Sequence, residues 1–226
     1  MSLAARRFGP ALSNNARQRM AELRAYPTLE TWLNPVTRGL ARRLANMEWQ
    51  KTLDEIDFEY RMTDVEIAGR SCVRYETAGD NSDDLFIFYV HGGGLVCGSP
   101  RLNASMVLPA LRLTGAESVG VSYTLLPEGR FPKPLDEIDS VYKALLPTLD
   151  NKRIVILSDS MGCMLALANL LRWRDEGVRL PDRVVLVSPA LDGAAASDTY
   201  RTLDRHDPLI RSHNGRNAQK LFEFYA

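Results

Sequence analysis

Val90-His91-Gly92-Gly93-Gly94-Leu95 is the turn around which this chain of 226 residues arranges itself. It follows an apolar run, Leu85-Phe86-Ile87-Phe88-Tyr89-Val90, with the length and composition of a fully buried strand. It precedes a segment from Asn103 that turns from polar to apolar and reads as a helix over 104–113. Consecutive glycines cost conformational entropy, so this turn has a use for bare backbone. One such use is to aim N–H groups into an open site with no side chain in the way. That is the arrangement of an oxyanion hole, where developing charge on a carbonyl oxygen meets preorganised donors. A glycine-rich strand-to-helix turn without chemistry has the same local pattern, and the partners along the chain choose between the two.

Upstream, residues 1–53 read as amphipathic helices, chiefly 11–23 and 36–49, with Pro27 and Pro35 breaking them into short pieces. Arg38, Arg42 and Arg43 fall on one stretch and are read as a solvated helix face. From Asp57 the period changes to two: 58–62 and 72–76 alternate apolar with polar, and Ala68-Gly69-Arg70 between them is a turn. Residues 78–82 are a loop by composition. Downstream, strands over 116–123, 153–157 and Arg183–Val187 alternate with helices over 132–146 and 161–174. That is the pattern of a parallel sheet with crossover helices. The stretch 188–226 is polar and Asp-rich and ends in an amphipathic helix over 218–225.

Ser158-Asp159-Ser160-Met161-Gly162 lies between a buried strand and a helix. A nucleophile elbow needs a serine on a strained strand-to-helix turn, with small residues two positions away on either side so that backbones pass closely. Ser158 and Gly162 meet that size requirement, although serine at 158 departs from the usual glycine. The plain alternative makes Ser158 or Ser160 the N-cap of the following helix.

The glycine turn, this elbow, and Tyr123-Thr124-Leu125-Leu126-Pro127-Glu128-Gly129-Arg130-Phe131-Pro132 between them resemble the motifs of hormone-sensitive-lipase-like α/β-hydrolases, the group of bacterial acetyl esterases and small carboxylesterases. The resemblance runs from about residue 83 to 209. It implies an α/β-hydrolase fold, a mostly parallel sheet with helices on both faces. It divides the chain into an N-terminal helical cap over 1–53, a core over 54–190 and a second cap segment over 191–226. It implies that Ser160 attacks an ester carbonyl to form an acyl-enzyme, and that backbone N–H groups among Gly92, Gly93, Gly94 and Met161 form the oxyanion hole. His91 and Asp159 then organise these motifs. The implied partner is a small-molecule ester with a short or medium acyl chain, and no metal or organic cofactor is implied. Leu95 and Met161 replace an aromatic residue and an alanine usual in the family.

In this family the acid and base follow the serine on later strands, and after Ser160 only Arg183–Val187 reads as a strand. No triad acid or base is identifiable, and the chain reads as lacking the C-terminal third. Asp192 with His206 or His213 is allowed by order alone, but both histidines lie in polar stretches and read as surface groups. Turnover is therefore expected to be slight. The alternative is a hydrolase-fold protein that holds a small ligand and has lost catalysis. An uncovered edge at Arg183–Val187 would be relieved by a homodimer.

Composition excludes other classes. Lys and Arg number 28, as do Asp and Glu, so no net field recruits nucleic acid or an anionic membrane. No apolar run is long enough to span a bilayer. Arginines 6, 7, 17 and 19 interrupt any leader-like apolar core. Cys72, Cys97 and Cys163 have no metal or redox spacing and fit reduced thiols in a cytoplasmic protein. Trp32, Trp49 and Trp173 read as core or cap packing. Asp83-Asp84 and Asp136-Glu137-Asp139 read as solvated carboxylates.

Overall fold

Six strands pair into one sheet: β1 (Tyr60–Ile67), β2 (Arg70–Thr77), β3 (Leu85–Val90), β4 (Glu117–Val121), β5 (Arg153–Asp159) and β6 (Arg183–Val187). Their order is β1-β2-β4-β3-β5-β6. The computed structural model describes residues 13–24, 28–78, 82, 84–207, 210 and 215–226. β3 pairs in parallel with β4 and β5, and β5 with β6, whereas β1 and β2 are antiparallel. β1 and β2 form a hairpin closed by Ala68 and Gly69, both at positive φ (51° and 71°), with Ile67 opposite Arg70. Two left-handed residues match the right-handed twist of the flanking strands.

Central β3 is buried on both faces, which explains its unbroken apolar run. Phe86, Phe88 and Val90 join one core with α5 (Lys133–Leu145) and α6 (Ser160–Glu176). Ile87 and Tyr89 join the other, with α4 (Leu108–Thr114). The chain goes from β3 to β4 on one side, then returns past β3 to β5 on the other. This reversal opens a crevice at the carboxyl ends of β3 and β5, the usual ligand position of open α/β sheets. The glycine turn leaves one of those ends and Ser160 the other.

Ahead of the sheet lie α1 (Asn14–Arg24), α2 (Leu29–Leu33) and α3 (Arg38–Asp54), and after it α7 (Thr199–Thr202) and α8 (Arg216–Tyr225). The helix expected over 104–113 is a 3-10 turn at Ala104–Met106 followed by α4, which has a proline in its first turn. β4 stops at Val121, not at 123, because Tyr123 leaves the ladder to stack on His91. Residues 11 and 12 of the first expected helix and 79–81 of the expected loop lie outside the described residues. Asp83 does too.

β6 is one of the two edge strands of the described sheet, the other being β1, and Val184, Val185 and Val187 are 38%, 46% and 37% exposed on it. The cysteines are free and buried. Among the described residues, no helix is long and apolar enough to cross a membrane.

Candidate active site

β5 ends at Asp159 and α6 begins at Ser160, whose φ is +50°. A non-glycine residue in the left-handed region at a strand-to-helix junction is strained, and such strain persists only where the surroundings over-determine it. Two contacts provide that support. Ser158, fully buried, donates its hydroxyl to the Val90 carbonyl at 2.7 Å. Gly162 passes so close to β3 that a Cβ there would lie 2.4 Å from the His91 carbonyl oxygen and 2.6 Å from that of Val90. The departure at 158 is thus accommodated by a bond across the sheet. Ser158→Ala should destabilise the fold by about 1 kcal/mol, read as a shift in urea midpoint with an unchanged slope.

Gly93 and Gly94 have φ of +109° and +63°. A Cβ on Gly93 would meet the Cys97 carbonyl at 2.2 Å, so only glycine fits. The Gly93 carbonyl turns inward and accepts the N–H groups of Val96 and Cys97 at 3.1 and 3.0 Å. Among the described residues, no acceptor engages the N–H of Gly93 or Gly94. Met161, in the first turn of α6, has an N–H with no intrahelical acceptor.

Gly92 corrects the expectation that it shares in the hole. Its N–H donates to Asp159 Oδ1 at 2.9 Å, so it has no free donor to offer. Its glycine character serves close approach instead, since a Cβ would fall 2.2 Å from Asp159 Oδ2. Asp159 also accepts the Tyr89 hydroxyl at 2.9 Å, tying the elbow to the root of the glycine turn. Burial pushes the Asp159 carboxyl up, and the Tyr89 and Gly92 bonds work against that shift.

His91 is buried and does not line the site. Its ring stacks on Tyr123 at 4.2 Å, and the Tyr123 hydroxyl donates to its carbonyl at 2.7 Å. Nδ1 lies 2.7 Å from the Gly92 carbonyl, so it carries the hydrogen. Nε2 is buried with no partner among the described residues. Burial depresses the imidazole pKa to about 4.

Gly93, Gly94, Asp159, Ser160 and Met161 all line one cavity of about 440 Å³. Its walls include Trp32, Trp49, Leu221 and Phe222, from α2, α3 and α8. Arg19 of α1 and Glu48 of α3 form an ion pair across it at 2.5 Å, which holds the Glu48 carboxyl below its usual value. Trp173 packs in the core on Tyr142, whereas Trp32 and Trp49 both pack and face the cavity.

The remaining described candidates lie elsewhere. His206 is exposed in a turn after α7 and does not line the cavity. His213 is outside the described residues. Asp192 Oδ2 accepts the N–H groups of Ala196 and Ser197 at 2.7 and 3.1 Å, closing a local turn.

Two expectations about surface charge are corrected. Glu137 is 3% exposed, not solvated. It accepts the Thr124 N–H and hydroxyl at 2.6 and 2.7 Å and the Arg70 guanidinium at 2.8 Å, anchoring the segment after β4. The signal was present: Pro134, Glu137, Ile138, Val141 and Leu145 share one helix face. Of the arginines read as a solvated face, only Arg43 is exposed. Arg38 donates to the Trp32 and Leu33 carbonyls at 3.0 and 3.1 Å. Arg42 reaches the carbonyls of Val96 and Leu126.

The chain is similar to known proteins in sequence and in fold. An esterase of Acinetobacter venetianus is 35% identical over 136 residues, which is 60% of this chain and 45% of that protein. The acetyl esterase of Salmonella paratyphi B is 28% identical over 132 residues, 52% of this chain and 41% of that one. The chain thus spans less than half the length of these curated relatives. A crystal structure of an esterase from the bacterial hormone-sensitive lipase family superposes with a TM-score of 0.80 at 27% identity, covering 96% of this chain and 70% of that one. A family model described as alpha/beta hydrolase fold matches residues 87–223, from the middle of β3 into α8. With that match over more than half its length, the chain belongs to the alpha/beta hydrolase fold family, on its hormone-sensitive-lipase-like branch.

Proposed function

We propose that this chain carries the serine nucleophile of a carboxylesterase acting on short- or medium-chain acyl esters. The observation that carries the reading is Ser160, at φ +50° on the elbow, sharing one cavity with Gly93 and Gly94. In this reading the Ser160 hydroxyl oxygen attacks the ester carbonyl carbon. The oxygen that gains charge is met by the N–H groups of Gly93, Gly94 and Met161. The alcohol then leaves, and water hydrolyses the acyl-enzyme. The helices α1–α3 and α8 act as the cap, and their apolar side chains receive the acyl group. The relatives named esterase and acetyl esterase support this substrate class.

Among the described residues no histidine lines the cavity, and a chain acting without a base beside Ser160 turns over about 10⁴-fold or more below a complete triad. p-Nitrophenyl butyrate is the suitable probe, because p-nitrophenolate leaves without needing a proton. The chain should hydrolyse it slowly. It should also take up a fluorophosphonate at Ser160, located by peptide mass spectrometry. Ser160→Ala should lose the label and lower the residual rate about tenfold or more. A label carried equally by Ser160→Ala would sink the nucleophile assignment.

The apolar walls favour a second reading, a ligand-binding protein without turnover. Saturable quenching of tryptophan fluorescence by ethyl butyrate, with neither hydrolysis nor label, is its expected signature.

A further inference from the structure

We propose that Arg42 is a positioning residue for the oxyanion loop, setting Gly93 and Gly94 from a helix that contributes no reacting group. The inference rests on the hydrolytic reading of Ser160.

Arg42 sits on α3, and its Nε donates to the Val96 carbonyl at 2.5 Å while Nη2 donates to the Leu126 carbonyl. These carbonyls belong to segments far apart in sequence. One is the end of the glycine turn and the other is the stretch after β4. The segments are also joined directly, because the Leu126 N–H donates to the Leu95 carbonyl at 2.7 Å. Arg42 therefore closes a small ring of hydrogen bonds around Leu95 and Val96. Leu95 needs such support: it is a non-glycine residue at φ +60°, buried to 1% exposure. Val96 in turn donates its N–H to the Gly93 carbonyl, which orients the Gly93-Gly94 peptide.

Two turns along the same face of α3, Trp49 supports the loop from the other side. Its ring reaches within 3.2 Å of where a Gly93 Cβ would be. The same helix face thus grips the loop with a fork at one end and a ring at the other. A guanidinium suits the task because its donors are rigidly splayed and serve two acceptors at once, whereas an ammonium is a point donor on a flexible stem. The donors of an oxyanion hole stabilise charge only insofar as they are held in place before reaction. Loosening the loop should therefore weaken the transition state more than it weakens the contact of the ester with the cavity walls.

The test compares the full chain with Arg42→Ala and Arg42→Lys in two measurements. In amide hydrogen exchange, Arg42→Ala should speed exchange of the Val96, Cys97 and Leu126 amides about tenfold or more. The amides of Phe88 and Ile156 in the sheet should be unchanged, and Arg42→Lys should fall between. In p-nitrophenyl butyrate hydrolysis, kcat should drop about tenfold while KM stays within about twofold. Added guanidinium should restore part of the loss in Arg42→Ala alone. Unchanged exchange at the three amides overturns the inference, whatever the activity. Faster exchange with kcat and KM both unaltered also overturns it, leaving Arg42 a structural staple. Absence of turnover in the parent chain counts against the esterase reading, and the exchange result still decides whether Arg42 holds the loop.

Discussion

Gly162→Ala should cost about 3 kcal/mol of folding stability, measured by urea denaturation. The added methyl would meet backbone, 2.4 Å from the His91 carbonyl oxygen and 2.6 Å from that of Val90. Neither carbonyl is free to retreat. The Val90 oxygen accepts the Ser158 hydroxyl and the His91 oxygen accepts the Tyr123 hydroxyl, so the end of β3 is held on both sides. The clash must then be relieved by moving α6 off the sheet, which also displaces Ser160. Gly39→Ala is the control. Gly39 lies in α3, and a methyl added there would have nothing within 4 Å, so alanine should stabilise by roughly 0.5–1 kcal/mol through helix propensity. Similar effects from the two substitutions would show that the elbow is not backed against β3.

Lowering the pH from 6.5 to 4 should remove about 3 kcal/mol of stability through His91 alone. The folded imidazole titrates at about 4 because it is buried, while the unfolded one titrates at its ordinary 6.5. Between those values the unfolded chain takes up a proton that the folded chain refuses. Stability is therefore flat above the unfolded pKa and declines at up to about 1.4 kcal/mol per pH unit below it. The structural cause is specific. Nδ1–H is engaged by the Gly92 carbonyl, so the added proton must go on Nε2, which has no acceptor among the described residues. The carboxylates held low, Glu48 and Asp84, lose their contribution at more acidic pH, below their ordinary values. Denaturation free energies taken from pH 7 to pH 5 avoid those two carboxylates, while the raised Asp159 carboxyl favours the fold as pH falls and so works against the histidine's slope. His91→Asn should abolish this slope, and an unaltered slope would place its cause elsewhere.

The parts of the fold that were legible are those where local chemistry and tertiary demand coincide. The run Leu85–Val90 is apolar because β3 is covered on both faces, so burial is written at every position. The elbow was legible for a similar reason. A left-handed serine between a strand and a helix needs small neighbours, and Ser158 and Gly162 are both small. Strand ends were less legible. Tyr123 has strand-forming chemistry but leaves β4 for a stacking partner distant in sequence.

Charge was the least legible feature. Glu137 and Arg42 carry residue types that are solvated by default, and each is instead a multiple hydrogen-bonding hub. The Val96 and Leu126 carbonyls satisfy Arg42, and the Thr124 N–H and hydroxyl with the Arg70 guanidinium satisfy Glu137. These partners lie on other segments, and no periodicity in the helices of Arg42 and Glu137 names them. Gly92 is the same case in reverse. Three like glycines in a row carry no mark of which amide is free, and the Asp159 carboxylate that takes the first of them lies in another strand.

The motifs in residues 85–162 carried the resemblance to the family. Side-chain size and spacing there were enough for the order of strands and helices and the place of the elbow serine, because those depend on what fits between neighbouring strands. The division of labour around that serine came from the folded chain. Which N–H groups are open, which arginine grips the loop and which histidine is sealed away depend on hydrogen bonds between segments that meet only after the sheet closes.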